Sequence, residues 1–253
     1  MLLLRRLAPF VVGMINASLL FWQAQSPASY PWLAVGVPVL FAAAGVFIGW
    51  KRFGAAEFAS RLLGPLLALT SAAYALLLAE GVFAQWMIPA FGGVVSYAGL
   101  ELLFLLAFLP TRYPVNGLSH LNLALVPVTL WCANYASVGL TMFIQTPRVV
   151  PVLVLAATGV MLFWCTAHVD ASADHRRRWT LLGGWLGLHL GLLGAFLPVN
   201  IALHGGYAAV LGTFALRARR YGMTPSVPRT LILAESLCVL IVVGLMIGTA
   251  RWV

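Results

Sequence analysis

Apolar runs long enough to cross a lipid bilayer recur along the whole chain. A membrane-spanning helix needs about twenty mostly apolar residues, and windows of about nineteen residues divide the sequence into nine such runs. The pattern predicts an all-α integral membrane protein, a bundle of about nine transmembrane helices that forms a single domain over residues 1–253. The predicted spans are Leu7–Gln25, Trp32–Trp50, Arg61–Leu78, Trp86–Leu109, His120–Ile144, Val149–His168, Trp179–Phe196, Val199–Leu216 and Thr230–Ala250.

Composition supports the same class of protein. Hydrophobic residues make up 62% of the chain and charged residues only 8%, too little polar surface to cover a soluble globule. The formal net charge is +9, but the arginines fall between apolar spans, where the positive-inside rule explains them. We therefore expect the lipid bilayer as the partner, no nucleic acid, and a bacterial-type inner membrane as the location.

The basic residues also predict an orientation. Of the 15 Lys and Arg residues, the nine-span division places all but Arg148 and Arg251 on one side of the membrane. Because loops rich in Lys and Arg stay in the cytoplasm, this segregation predicts a cytoplasmic N-terminus and an outside C-terminus.

Gly183, Gly187 and Gly191 recur at every fourth position of the seventh span. Residues four apart share a helix face, so the three glycines form a small-residue ridge that lets another helix approach closely. Such Gly-rich faces could dock other membrane subunits.

Two histidines lie at similar depth on consecutive spans. His189 is near the middle of the seventh span, and His204 follows the Pro-Val-Asn turn that opens the eighth. A neutral imidazole is a good ligand for haem iron or copper, so the pair is a candidate metal and cofactor site, with Asn200 orienting the His204 ring. The alternative is one interhelical hydrogen bond for each ring, with Asn200, Tyr207 or a backbone carbonyl as partner.

A motif repeat favours a second interpretation. Pro114-Val115-Asn116, followed by His120, echoes Pro198-Val199-Asn200, followed by His204. Because three spans separate the copies, they would lie on opposite membrane sides, as in an inverted repeat relating residues 86–168 to 179–250. Coincidence in an apolar sequence remains the alternative.

Ionisable residues supply the other candidates. Glu101 lies inside a predicted span, where it could be a proton or quinone contact, or could simply pair with Arg112; Glu235 could pair with Arg229. A surface cluster could hold a divalent metal, although the adjacent Arg176-Arg177-Arg178 would repel a cation. The cluster comprises His120, His168, Asp170, Asp174 and His175.

Parts of the C-terminal half resemble a known family. Trp185-Leu186-Gly187-Leu188-His189-Leu190, then Ala202-Leu203-His204 followed by Gly212-Thr213, is similar to the NnrS family of haem- and copper-containing membrane proteins linked to nitric-oxide stress. The resemblance implies that His189 and His204 are haem or copper ligands. The chain lacks the N-terminal HxHE segment of that family, which puts the full family function in doubt.

These observations lead to one main hypothesis and two alternatives. The main hypothesis is a membrane protein that binds haem or copper through the histidine pair, with a redox or nitrosative-stress role and a place in a larger complex. The alternatives are a small proton-coupled secondary transporter and a structural subunit without a site of its own. The chain contains no GxSxG, HExxH, P-loop or GxGxxG motif, so it offers no foothold for hydrolase or nucleotide-driven chemistry.

Overall fold

A computed structural model shows the chain as an all-α bundle. It describes residues 2–50, 52–167, 173–197, 199–223 and 228–249, and only the backbone of residues 167, 173, 174 and 219–223. The helices are α1 (Leu2–Gln25), α2 (Trp32–Gly49), α3 (Ala55–Leu76), α4 (Val82–Phe108), α5 (Gly117–Ile144), α6 (Val149–Ala167), α7 (Ala173–Phe196), α8 (Ile201–Met223) and α9 (Arg229–Gly248). The nine helices in the described ranges confirm the predicted fold class.

Eight of these helices, all but α8, are long and apolar enough to span a membrane. Helix α8 carries His204, several glycines and an arginine-rich end that begins at Arg217, which lower its mean hydropathy. Short connections make consecutive helices antiparallel. Helix α8 nevertheless packs inside the bundle, beside α5 and α9. The orientation of the bundle relative to the cytoplasm stays a prediction.

Several helices begin earlier than predicted. Helix α3 begins at Ala55 rather than Arg61, and α7 begins at Ala173 rather than Trp179. A hydropathy window stops where charges begin, whereas backbone hydrogen bonds continue the helix past the lipid boundary. These extensions project from the end of the bundle that carries Arg5, Arg6, Arg61, Arg112 and Arg176–Arg178, which we call the basic end.

The glycine ridge is confirmed as a close-packing surface, and its partner is within the chain. Helix α7 packs on α6 so tightly that a Cβ added at Gly187 would meet the Leu155 carbonyl and Ala156 Cα, and one added at Gly191 would meet Val152 Cα. Gly159 and Gly183 face each other in the same way. This ridge is covered by α6, so it is not available to another subunit, contrary to expectation.

Helices α3, α5 and α6 pack against one another around a shared interface. The basic end of this interface contains the start of α3, the start of α5 and the last turns of α6. At the periphery, none of the described residues of α9 is buried, and the Cys238 side chain is exposed.

Candidate functional site

His204 is fully buried and uses both ring nitrogens within the chain. Its Nε2–H donates to the Leu197 carbonyl oxygen at 3.1 Å, and its Nδ1 is hydrogen-bonded to the Tyr207 hydroxyl. The His204 carbonyl accepts a hydrogen bond from Asn134 Nδ2 on α5 at 2.8 Å. These bonds join the end of α7, the start of α8 and the middle of α5. They agree with the alternative expectation for His204, in which the ring is hydrogen-bonded to Tyr207 or a backbone carbonyl.

The Tyr207 hydroxyl donates its proton to the His204 ring. When Nε2 of His204 donates to Leu197, Nδ1 is an acceptor, so Tyr207 donates to it. On the neighbouring helix, Asn134 Oδ1 is buried without a hydrogen-bond partner among the described residues.

His189 faces outward from the bundle. Its side chain is exposed on α7, its Nδ1 is hydrogen-bonded to the Trp185 carbonyl at 2.8 Å, and its ring lies 4.1 Å from the Trp185 ring. A histidine whose Nδ1–H is held by a carbonyl presents Nε2 as the free ligand atom. The hydrogen bonds of His189 and His204 are separate, so the structure does not bring the two rings to a common ligand.

Asn200 does not orient the His204 ring. Its side chain is exposed, and its Oδ1 accepts a hydrogen bond from the Ala202 amide at 2.9 Å, which caps the start of α8. In the other copy of the motif, Asn116 has a positive φ of 55° and makes no side-chain cap, and His120 is exposed. The two copies differ in local structure, and the inverted repeat stays a prediction.

The two intramembrane glutamates have arginine partners other than those expected. Glu101 on α4 pairs with Arg6 on α1 rather than Arg112. Glu235 on α9 pairs with Arg217 on α8 at 2.8 Å rather than with Arg229. Each pair joins two helices near the basic end, so the pairs explain these carboxylates without a proton relay.

The proposed surface cluster is only partly described. His168 and Asp170 lie outside the described residues, and only the backbone of Asp174 is described. His120 is exposed at the start of α5, and His175 lies in the first turn of α7. The described residues contain no group of three or more His, Cys, Asp or Glu side chains placed to hold a metal ion.

A polar cavity lies at the basic end of the α3/α5/α6 interface. This basic-end cavity has a volume of about 470 Å³. At its mouth, the Arg61 guanidinium is paired with the Glu57 carboxylate one helical turn away. Its polar lining among the described residues is Glu57, Ser60, Arg61, Tyr113, Asn116, Ser119 and Asn122.

Asn122 is the most deeply buried polar group of this lining, with 2% of its surface exposed. Its Nδ2 donates to the Ser60 carbonyl at 3.1 Å, which fixes the orientation of the amide. Its Oδ1 lies against Gly64 and has no hydrogen-bond partner within the described part of the chain. A buried acceptor without a donor costs free energy, so this oxygen is an unfavourable polar contact inside the α3/α5 packing.

A second cavity lies in the other half of the same interface. This hydroxyl cavity has a volume of about 380 Å³ and is lined by the later part of α3, the later part of α5 and the first half of α6. Its lining is largely apolar but includes the hydroxyl-bearing residues Thr70, Ser71, Tyr74, Ser137, Thr146 and Thr158.

A thin buried layer separates the two cavities. On α5, Val126 and Thr129 continue the stripe of every third or fourth residue that joins Asn122 to Ala133. On α6, Leu162 lies between Thr158 and Cys165, which are about 10 Å apart along the helix axis. Val126, Thr129 and Leu162 are each 0% exposed, and together with Gly64 on α3 we call them the central layer.

Sequence reasoning missed this interface. It considered histidines, carboxylates and Asn200, but not the other carboxamides inside apolar spans, and four of these are buried: Asn16, Gln23, Asn122 and Asn134. A buried carboxamide in a lipid-embedded helix needs partners from a neighbouring helix, so these positions were a usable signal for interhelical polar contacts.

The chain matches no protein-family model, no curated protein and no solved structure. The resemblance to the NnrS family stays a hypothesis.

Proposed function

We propose that this protein is a small membrane transporter whose solute moves along the α3/α5/α6 interface. The observation that carries the proposal is the pair of cavities in opposite halves of one three-helix interface, separated only by the central layer. A bilayer core is about 30 Å thick, whereas the closed layer between the two cavities is only about 10 Å thick. The two cavities therefore shorten the apolar distance that a polar solute must cross.

Three of the four residues of the central layer have short side chains: Gly64, Val126 and Thr129. The Thr129 hydroxyl donates to the Leu125 carbonyl of its own helix, so this bond does not tie α5 to another helix. Alternating access requires helices that shift against one another around a site, and small side chains reduce the interdigitation that resists such a shift.

Coupling to protons through Glu101 is not part of this proposal. Glu101 pairs with Arg6 between α1 and α4, and neither residue lines either cavity.

Overfilling the central layer is expected to stop solute uptake. In vesicles containing the protein and incubated with a mixture of amino acids, organic acids and amines, mass spectrometry of the interior should show at least one solute enriched over empty vesicles. Leu162→Trp should abolish that enrichment, because Leu162 is fully buried between the cavities and the larger ring blocks the path.

Leu240→Trp is the matched control, because Leu240 on α9 is 69% exposed and the added ring lies outside the bundle. This variant should transport at the unmodified rate. Uptake that is unchanged in a folded Leu162→Trp protein, or no enrichment of any solute by the unmodified protein, would contradict the proposal.

A second candidate function is binding of haem or copper, which His189 favours. The Trp185 carbonyl holds Nδ1 of His189, and the outward-facing ring presents Nε2 for ligation, so one ligand position fits. The His189–His204 pair does not fit a two-ligand site here, because His204 already uses both nitrogens. A second ligand would come from another subunit, in keeping with a role in a larger redox or stress-response complex.

The absorption spectrum of the purified protein tests this candidate. We expect a Soret band, or copper at one equivalent or less, that disappears in His189→Ala. His120→Ala, which changes an exposed histidine on another helix, should leave the signal unchanged. A colourless, metal-free preparation from membranes that contain haem and copper excludes this candidate.

A further inference from the structure

We propose that the basic-end cavity binds a small zwitterion, in which an ammonium group and a carboxylate or phosphate lie a few bonds apart. The inference rests on the proposed function in that it names the class of solute that enters the path, but binding can be measured without transport.

The fixed charges of the cavity favour a ligand with both signs. Among the described residues, the lining carries one carboxylate, Glu57, and one guanidinium, Arg61. A ligand that carries only a negative charge would be repelled by Glu57, and a ligand that carries only a positive charge would be repelled by Arg61. A zwitterion can place its anionic group beside Arg61 and its ammonium beside Glu57, so that each charge has a neighbour of opposite sign.

Hydrogen-bonding capacity is left over for such a ligand. The Arg61–Glu57 pair is joined through one guanidinium nitrogen and one carboxylate oxygen, whereas an arginine has five N–H donors and a carboxylate has two oxygens. The ligand anion therefore has donors at Arg61, and its ammonium has an acceptor at the second Glu57 oxygen.

The wall of the cavity adds a complementary donor. The Tyr113 oxygen accepts a hydrogen bond from the Leu118 amide at 2.8 Å, which leaves its own O–H to donate to a carboxylate or phosphate.

The size of the cavity fits this class of ligand. A volume of about 470 Å³ lies in the range of small-molecule pockets. Since the basic end of the bundle is at the membrane surface, two sources share the chemistry: a free amino acid, and the head group of an ethanolamine phospholipid. The experiment distinguishes them by using separate soluble probes.

Thermal unfolding of the purified full-length protein, followed by tryptophan fluorescence, tests the inference. The probes are L-alanine and O-phosphoethanolamine as zwitterions, propionate as the anion alone and ethylamine as the cation alone. At least one zwitterion should raise the midpoint saturably by about 4 °C or more, and propionate and ethylamine should not. A response to L-alanine only identifies a free amino acid, and a response to O-phosphoethanolamine only identifies a lipid head group; both support the inference.

Variants at the cavity mouth complete the test. Glu57→Gln and Arg61→Gln should each abolish the shift, and both proteins should fold because the two side chains are partly exposed, at 44% and 26%. Arg112→Gln is the matched control, since Arg112 is exposed at the same end and does not line the cavity. An equal shift with propionate or ethylamine, no shift with either zwitterion, or a shift that persists in either mouth variant would each overturn the inference.

The two proposals fail separately. Zwitterion binding without uptake would contradict transport and leave the binding site standing. Uptake of other solutes, with no zwitterion binding, would retain transport and overturn the assignment of the ligand.

Discussion

Gly187→Ala is expected to destabilise the protein strongly. The added Cβ would collide with backbone atoms, the Leu155 carbonyl and Ala156 Cα, and backbone in the middle of α6 cannot rotate aside as a flexible side chain can. Either α7 moves away from α6 and loses their packing, or both helices distort. We expect a loss of about 3 kcal/mol or more, measured as a lower unfolding midpoint and a smaller folded fraction in gel filtration.

Gly244→Ala on α9 is the matched control, because an added Cβ there meets nothing within 4 Å. Alanine is also the better helix former, by about 1 kcal/mol, so this variant should be as stable as the unmodified protein or slightly more stable. Equal stability of the Gly187 and Gly244 variants would show that α6 and α7 are not in backbone contact.

The sequence predicted the helices and one of their contacts. Apolar runs predicted nine helices because each lipid-embedded segment must satisfy its own backbone hydrogen bonds, and α2 and α6 begin at the predicted residues Trp32 and Val149. The spacing of Gly183, Gly187 and Gly191 predicted a close helix contact, but not that α6 would be the partner, because spacing defines a face and does not name its neighbour.

The histidine pair shows where sequence reasoning fails. Counting residues from a turn gives the depth of each ring, whereas the rotation of each helix depends on neighbours that are distant in sequence. Gly205 and Gly212 place α8 against Trp131 and Leu130 of α5, and this packing turns His204 inward. The ridge that packs on α6 leaves His189 on the outer surface of α7.

The cavities were beyond sequence reasoning for a related reason. Helices α3 and α6 are separated by two other helices in the chain, and their contact depends on how α5 packs between them. Asn122 carried the available signal, a carboxamide in an apolar span, but the bond to the Ser60 carbonyl could not be predicted from a single sequence.

A cysteine placed in the central layer is expected to be reactive from both sides of the membrane. Thr129 is 0% exposed and lies between the two cavities on α5, so alternating access would open it to each side in turn. Thr129→Cys, in a chain whose Cys132, Cys165 and Cys238 are replaced by alanine, should react with a membrane-impermeant thiol reagent from either side of the membrane.

Ser96→Cys provides the matched position, since Ser96 is also a small hydroxyl residue that is 0% exposed but lies on α4, where it accepts a hydrogen bond from Asn16 away from both cavities. The most direct measurement of the transport path is therefore the rate of thiol modification at these two positions, with the reagent inside or outside reconstituted vesicles. A solute path through the α3/α5/α6 interface predicts reaction from both sides at position 129 and from neither side at position 96. Reaction at position 129 from one side only, or at the low rate of position 96, would contradict it.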